Sequence, residues 1–429
     1  MKILIVSQYF WPESFRINDL VSNFSKRGHE VTVLTGLPNY PEGILFPAYR
    51  STPEAFDHYE DVAVVRVPHV LRGKGKIGLV LNYLTFFLNA SLTGAWKLRK
   101  SQFDVVFVYA VSPITAAIPA IVQGRLKNAK VFLWVLDLWP ETLSAVGVVR
   151  SPRLLSIIGV MVAWIYKRCD YILIQSRAFL DSVNRHCPNN GTSNKILYFP
   201  SWAEDVFSQG IGAKQDVVVR DDRLFTVMFA GNIGEAQDFP AILDAIEILK
   251  MKHQIRWVII GDGRLREWVA EQIRSRGLEQ SIYLVGRFPV ESMPSFFACA
   301  DALLVTLKTN EIFARTIPGK VQAYLASGRP IIGMIDGEAR AVIEESGGGM
   351  ACASGASTDL AKIVDEMAGM SHEQLQQMGL KGRHFYEKYF DRDTLFTKLE
   401  NYFYLDIAGM PLSEHALSED EISEKSRSE

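Results

Sequence analysis

Two successive series of short apolar strands, each alternating with amphipathic helices, constrain this chain more than any other feature. In the first series KILIVSQ, HEVTVLTG, VAVVRVP, DVVFVYA, VFLWVLD and YILIQS read as strands. A helix at 17–27 follows the first of them, with Leu20, Val21 and Phe24 on one face and Gly28 as its stop. Strands that are apolar throughout, separated by helices, predict a parallel sheet covered on both faces. The pattern breaks near residue 200, where Pro200, Gly210 and Gly212 punctuate a stretch without sustained period. It resumes with LFTVMFAG, IRWVIIGDG, SIYLVGR, ALLVT and PIIGMI, with helices at 239–253, 265–276 and 320–327. The 429 residues suffice for two such cores. The expected organisation is an α/β domain at 1–200, a second at 201–391, a helix at 392–408 packing back on the first, and a disordered polar tail at 409–429.

Composition narrows the function. A net charge of −2 argues against a general nucleic-acid binder. Cys169, Cys187, Cys299 and Cys352 form no CxxC pair and have no zinc spacing, so they read as reduced residues of a cytosolic protein. The opening MKILIVSQYF has too short an apolar run for a signal peptide and reads as a buried strand. Residues 77–96 are apolar and basic at both flanks, but Asn82, Asn89, Ser91 and Thr93 interrupt them. They read as a core helix, a core helix whose exposed end touches lipid, or a membrane span.

In parallel sheets ligands bind beyond the carboxyl ends of the strands, so the loops there hold the candidate chemistry. The first loop, QYFWPESFR, has no GxGxxG and ends with Arg16 at a helix start, either a phosphate contact or a surface arginine. The loop LPNYPEG is rigid; Asn39, Tyr40 and Glu42 either face a polar acceptor or merely make a turn. Asp137 leaves an apolar strand in WVLDLWPE and is either a catalytic carboxylate or a helix cap. In the second half, FAGNIGEAQ offers Gly231 and Asn232, and IIGDGRLRE offers Gly261, as turns that present backbone N–H groups to phosphate. The stretch 308–334 is the most informative. Its Pro318-Gly319-Lys320 opens a helix, where a lysine and free N–H groups together suit a pyrophosphate, the alternative being a solvated lysine.

RGHEVTVLTG, FAGNIG, GDGRLRE, GRFP and QAYLASGRPII occur in an order that resembles the family-four glycosyltransferases. That resemblance implies the GT-B type of fold, two Rossmann-like domains facing a central cleft. SQYFWPESFRINDL, PNYPEG and DLWPE resemble more narrowly the bacterial N-acetyl-L-fucosamine transferases of O-antigen and capsule assembly. The resemblance implies retaining transfer from a nucleoside-diphosphate sugar, UDP-linked, without metal or other cofactor. It also implies an acceptor linked to polyprenyl diphosphate and a cytoplasmic enzyme held peripherally at the inner face of the cytoplasmic membrane. The residues themselves offer Asp137 and Lys320 for catalysis. Donor binding falls to Arg16, Gly231, Asn232, Gly261, Arg287, Glu311, Gly319 and Gln322, and the acceptor side to Asn39, Tyr40 and Glu42.

The chain departs from the family pattern in three places. Phe15-Arg16 stand near a usual Gly-Gly pair, and Asn232 and Gln237 near a usual Arg and Lys. Ala314 and Gln322 stand where paired glutamates are expected. Lys320 and Arg16 are then the candidates to supply the missing positive charge, and Gln322 keeps only an amide for the ribose. A sugar-nucleotide epimerase on the same architecture, or a non-catalytic binding subunit, are the alternative readings.

Overall fold

In the computed structural model, residues 1–73, 75–145, 147–187, 195–209, 215–410 and 412 are described. The chain divides into two units, Met1–Phe199 with the segment from Phe396 on, and Pro200–Leu395. Of the expected tail, residues 411 and 413–429 lie outside the described residues, as do Gly210 and Gly212 of the expected break.

The first unit is built on eight strands: β1 (Lys2–Val6), β2 (Glu30–Thr35), β3 (His58–Tyr59), β4 (Val62–Arg66), β5 (Val105–Ala110), β6 (Lys130–Val135), β7 (Tyr171–Ile174) and β8 (Ile196–Tyr198). Their order is β3-β4-β2-β1-β5-β6-β7-β8, parallel except for the short β3–β4 pairing. The chain moves outward from β1 on both sides, so the switch point lies between β1 and β5. Alternate residues of each strand feed opposite faces. Val106, Val108, Val131 and Leu133 join a core with Phe86, Val162 and Ile165 from the helices Lys76–Lys97 and Pro152–Arg168. Phe107 and Phe132 point the other way, onto Phe403 of the helix Arg392–Ile407, at 6.1 and 4.8 Å between ring centroids. Phe24 of the helix Arg16–Lys26 meets the same Phe403 ring edge-on. Glu400 adds an ion pair to Arg27 at 2.9 Å and a hydrogen bond with His29 Nε2 at 2.8 Å.

The helix Lys76–Lys97 is long and apolar enough to cross a membrane, yet one side of it is stitched to this unit. The Asn82 amide accepts a hydrogen bond from Gln8 Nε2 at 2.6 Å and donates to the Val70 carbonyl at 2.7 Å. Asn89 donates to the Pro68 carbonyl at 2.8 Å. The asparagines that interrupt the apolar run thus fasten the helix to the loop after β4.

The second unit carries β9 (Phe225–Ala230), β10 (Ile255–Ile260), β11 (Ile282–Gly286), β12 (Ala302–Thr306), β13 (Ile331–Met334) and β14 (Gly349–Cys352), all parallel. Their order, β11-β10-β9-β12-β13-β14, is that of a dinucleotide-binding sheet, with the switch point between β9 and β12. The segment after β12 holds a short helix, Glu311–Arg315, because Asn310 Oδ1 accepts from the N–H groups of Ile312 and Phe313. All four cysteines are free.

Candidate functional site

Each unit gathers polar groups at its own switch point. In the second unit the constellation grows from the helix Gly319–Ser327 after β12. Buried Tyr324 pins this helix to the end of β9, where its hydroxyl accepts from Ala230 N–H at 3.2 Å. Lys320 lies one turn earlier on the same face, so the pin aims it at β9 as well. Its ammonium sits 3.8 Å from the centroid of the Phe229 ring, a cation–π contact. Lys320 has no ion-pair partner among the described residues. The residue keeps some solvent exposure, but its ammonium is enclosed, and desolvation lowers its pKa to about 7. The helix begins without a side-chain cap, since Pro318 precedes it. The first N–H groups therefore have no partner within the helix.

The Gly231 turn faces this lysine, and the Gly261 turn packs behind it on the Gly231 backbone. Gly231 N–H donates to the Ile260 carbonyl at 2.9 Å and Gly261 N–H to the Gly286 carbonyl at 2.7 Å, which ties the ends of β9, β10 and β11 together. At Gly261, with φ +138°, a Cβ would fall 1.8 Å from the Gly231 carbonyl oxygen, so only glycine fits. The Gly231 loop is also held to β12: Thr306 Oγ1 donates to the Gln237 carbonyl at 2.6 Å.

Placement of the other expected donor residues is uneven. Asn232, Arg287 and Glu311 are exposed, after β9, after β11 and at the start of the short helix. Gln322 does not face solvent. It is 1 % exposed, with Oε1 unpartnered among the described residues, so the expected ribose contact is not available to it in this conformation. Arg16 lies at the start of its helix in the first unit, half-buried beside Tyr109, apart in the chain's organisation from the other donor candidates.

In the first unit the loops after β1, β2, β5 and β6 converge. Glu13, absent from the sequence expectations, organises them. This buried carboxylate accepts from Asn39 and Tyr40 N–H through Oε1, at 2.8 and 2.7 Å, and from Phe10 N–H through Oε2 at 3.1 Å. Burial nevertheless raises its pKa, opposed by those three N–H groups. Asn39 corrects the acceptor-side expectation. It is fully buried, and its amide donates to the Leu37 carbonyl and accepts from Arg72 N–H, so it builds the loop instead of facing a ligand. Tyr40 stays half-exposed against Tyr9, Phe15 and the Arg72 guanidinium, and Glu42 is exposed.

Asp137 follows β6 and is not a helix cap: the next helix, Glu141–Ala145, begins four residues on. Burial raises its pKa to about 7, opposed by a hydrogen bond from Ser112. Ser112, after β5, also accepts from Trp139 Nε1 at 3.2 Å. Tyr83 completes the group, its pKa raised chiefly by burial, then lowered by Arg72 and Ser112. A carboxylate poised near neutrality, with the Tyr83 and Tyr109 hydroxyls near it, can exchange a proton with a bound hydroxyl. Ser112 and Tyr83 were missed because their relevance depends on contacts with the loop after β6, which the local sequence does not show. Among the described residues no cluster of His, Cys, Asp and Glu could hold a metal ion.

Residues 225–369, which span β9 through the helix Ser357–Ala368, match the family described as "Glycosyl transferases group 1". That match lies within the second unit. The chain is 25 % identical over 319 residues to "Probable glycosyltransferase WbjE" of Pseudomonas aeruginosa, covering 70 % of this chain and 73 % of that one. It is 23 % identical over 345 residues to "Putative colanic acid biosynthesis glycosyl transferase WcaI" of Escherichia coli K12, covering 76 % and 82 %. Its fold is that of Anabaena HepE in complex with UDP, at TM-score 0.66 and 14 % identity, with 94 % of this chain and all of the other covered. Likeness at that level fixes the GT-B fold.

Proposed function

We propose that this group 1 glycosyltransferase moves a sugar from a UDP-linked donor onto a growing surface-polysaccharide acceptor carried on polyprenyl diphosphate. The observation that carries the reading is Lys320, a cation without an anionic partner among the described residues, enclosed at the switch point of a dinucleotide-type sheet between an uncapped helix start and the Gly231 turn. A diphosphate is the ligand such a site lacks: it would take the ammonium's charge and the first N–H groups of the helix together.

The transfer we assign breaks the bond between the anomeric carbon and the diphosphate oxygen and forms one from that carbon to an acceptor hydroxyl oxygen, on the same face of the sugar. The hydroxyl proton passes to the departing phosphate oxygen. Lys320 and the helix N-terminus, with no metal ion, stabilise the charge that develops on the diphosphate. Asp137 orients the acceptor hydroxyl, with Tyr40 and Glu42 beside it on the acceptor side. The Gly231 and Gly261 turns, Asn232, Arg287, Glu311 and Gly319 belong to the donor side, as does Arg16 through phosphate. The sugar we assign is N-acetyl-L-fucosamine, and the place of action is the cytoplasmic face of the inner membrane. WcaI, which carries colanic acid biosynthesis in its name, supports the polysaccharide setting.

The test is incubation with a panel of UDP-, GDP- and TDP-sugars and a polyprenyl-diphosphate-linked sugar. Mass spectrometry should find an acceptor extended by one residue with UDP-sugars, and NMR should find the donor's anomeric configuration in the product. An epimerised nucleotide sugar without extended acceptor would replace transfer by epimerisation. Nucleotide binding without any product would leave a binding subunit.

A further inference from the structure

We propose that the outer face formed by the helices Lys76–Lys97, Ala117–Lys127 and Pro152–Arg168 docks the first unit onto an anionic lipid surface. The three helices connect successive parallel strands, so they run in the same direction, and Ala117–Lys127 packs against both of the others. Their inner sides fill the core described above. Their outer sides expose large apolar residues. On the first, Leu81, Leu84, Leu88, Leu92 and Trp96 form a stripe at helical spacing, with Leu92 at 69 % exposure. On the last, Leu154, Ile157, Val160 and Trp164 are exposed, with Val160 at 70 %. Leu126 is exposed on the helix between them. An apolar face of this extent is unusual unless something covers it.

Charge decides what covers it. None of the three helices contains an aspartate or glutamate. The last turn of each, with the residues just after the first, is basic: Lys97, Arg99 and Lys100, then Arg125 and Lys127, then Lys167 and Arg168. Because the helices run the same way, these charges collect at one end of the layer. The nearest acidic side chains are engaged elsewhere, Asp104 with Lys2 N–H and Asp170 with Lys130 and Val131 N–H. Two tryptophans lie at the same end, each under a guanidinium: Arg99 is 4.3 Å from the Trp96 ring centroid and Arg168 4.1 Å from that of Trp164. Apolar residues, an aromatic pair and a one-signed basic rim, in that succession, match acyl chains, the interfacial zone and anionic headgroups. A second copy of the chain is the weaker fit, since a two-fold contact through this face would bring two basic rims together. The hydrogen bonds of Asn82 and Asn89 keep the first helix on its unit, so the contact is peripheral and not a span. Part of the sequence expectation moves accordingly. Arg72 turns to Tyr40 and away from this face, and Lys74 lies outside the described residues.

The inference does not depend on the sugar transferred, and its test reads binding alone. The full chain is floated with phosphatidylethanolamine vesicles with and without phosphatidylglycerol, at low and high salt. Association should require phosphatidylglycerol and fall with salt. Arg99→Gln with Lys100→Gln should weaken it by about fivefold per charge. Leu92→Glu with Ile157→Glu should weaken it by about tenfold or more, while UDP binding stays that of the parent and reports that the variants fold. No association at either salt, equal association with vesicles lacking phosphatidylglycerol, or variants that float like the parent would each overturn the proposal. So would association that resists salt and yields only to detergent, which marks a span. A dimer in light scattering that the two glutamate substitutions dissociate would assign the face to a second copy.

Discussion

The ammonium of Lys320 rests on the ring of Phe229, 3.8 Å from its centroid, and among the described residues no carboxylate pairs with it. Desolvation holds its pKa down at about 7, against an ordinary value of 10.5. The unfolded chain therefore binds this proton more tightly than the folded one between those values. The cost of keeping the charge is complete below pH 7 and disappears as the pH rises toward the unfolded value. Lys320→Met should raise the thermal midpoint of the nucleotide-free protein at neutral and lower pH. It should also weaken UDP binding by about tenfold or more, the worth of a charge-assisted contact.

The same shift predicts proton uptake. A bound diphosphate restores the charged form, so binding at about pH 8 should take up nearly one proton, and binding near pH 6 almost none. Calorimetry in buffers of different ionisation enthalpy measures this directly. An uptake that does not vary with pH, or that persists in Lys320→Met, removes Lys320 from the phosphate site.

Asp137 titrates near the same pH for the opposite reason. Burial raises its pKa to about 7, more than the Ser112 hydrogen bond lowers it. Here the folded form holds the proton more tightly, so stability is lost as the pH rises from the ordinary carboxylate range through 7. Asp137→Asn removes that loss, and the variant should melt no lower than wild type at about pH 8. Its turnover should fall by about a hundredfold if the carboxylate moves a proton or orients the hydroxyl that loses one. The wild-type rate should rise toward a plateau near pH 7, and that limb should be missing in the variant. Equal turnover and equal pH profiles would leave Asp137 a structural residue.

Glu13 makes a prediction about the loops. Glu13→Ala leaves the N–H groups of Phe10, Asn39 and Tyr40 without their acceptor, and each buried orphan costs about 1–3 kcal/mol. Glu13→Gln keeps one carbonyl oxygen, enough for Asn39 and Tyr40, and should lie between alanine and wild type in denaturant midpoint. Because the loop it holds carries Tyr40, KM for the acceptor should rise more than KM for the donor. An alanine variant as stable as wild type would mean the loops hold without it.

The two sheets were legible because their strands are apolar throughout and the intervening helices carry clear stops such as Gly28. Lys320 was legible for a local reason: proline and glycine before it announce a helix start. What stayed hidden depends on contacts between distant segments. Glu13 gains its role only when residues 39 and 40 fold back onto it. Asn39 has the look of a ligand-facing loop residue but is consumed by Leu37 and Arg72. Gln322 has the look of a ribose-facing residue, but its helix is buried on all sides from Val321 to Ala326, and Gln322 with it.

Gly231 offers the sharpest check on whether the lysine's position, and not merely its presence, matters. Its φ is +149°, a conformation that L side chains rarely adopt, and a Cβ there would stand 2.5 Å from Lys320 Cε. Gly231→Ala should therefore displace the lysine stem from Phe229 and lower the melting temperature modestly. UDP binding should weaken to the level of Lys320→Ala. The double variant decides the mechanism. If alanine at 231 acts through Lys320, adding Lys320→Ala should cost little further binding, the non-additivity expected of residues in contact. Two losses that simply sum would mean that Gly231 meets the nucleotide through its own backbone, and that the lysine's aim is not what the glycine protects.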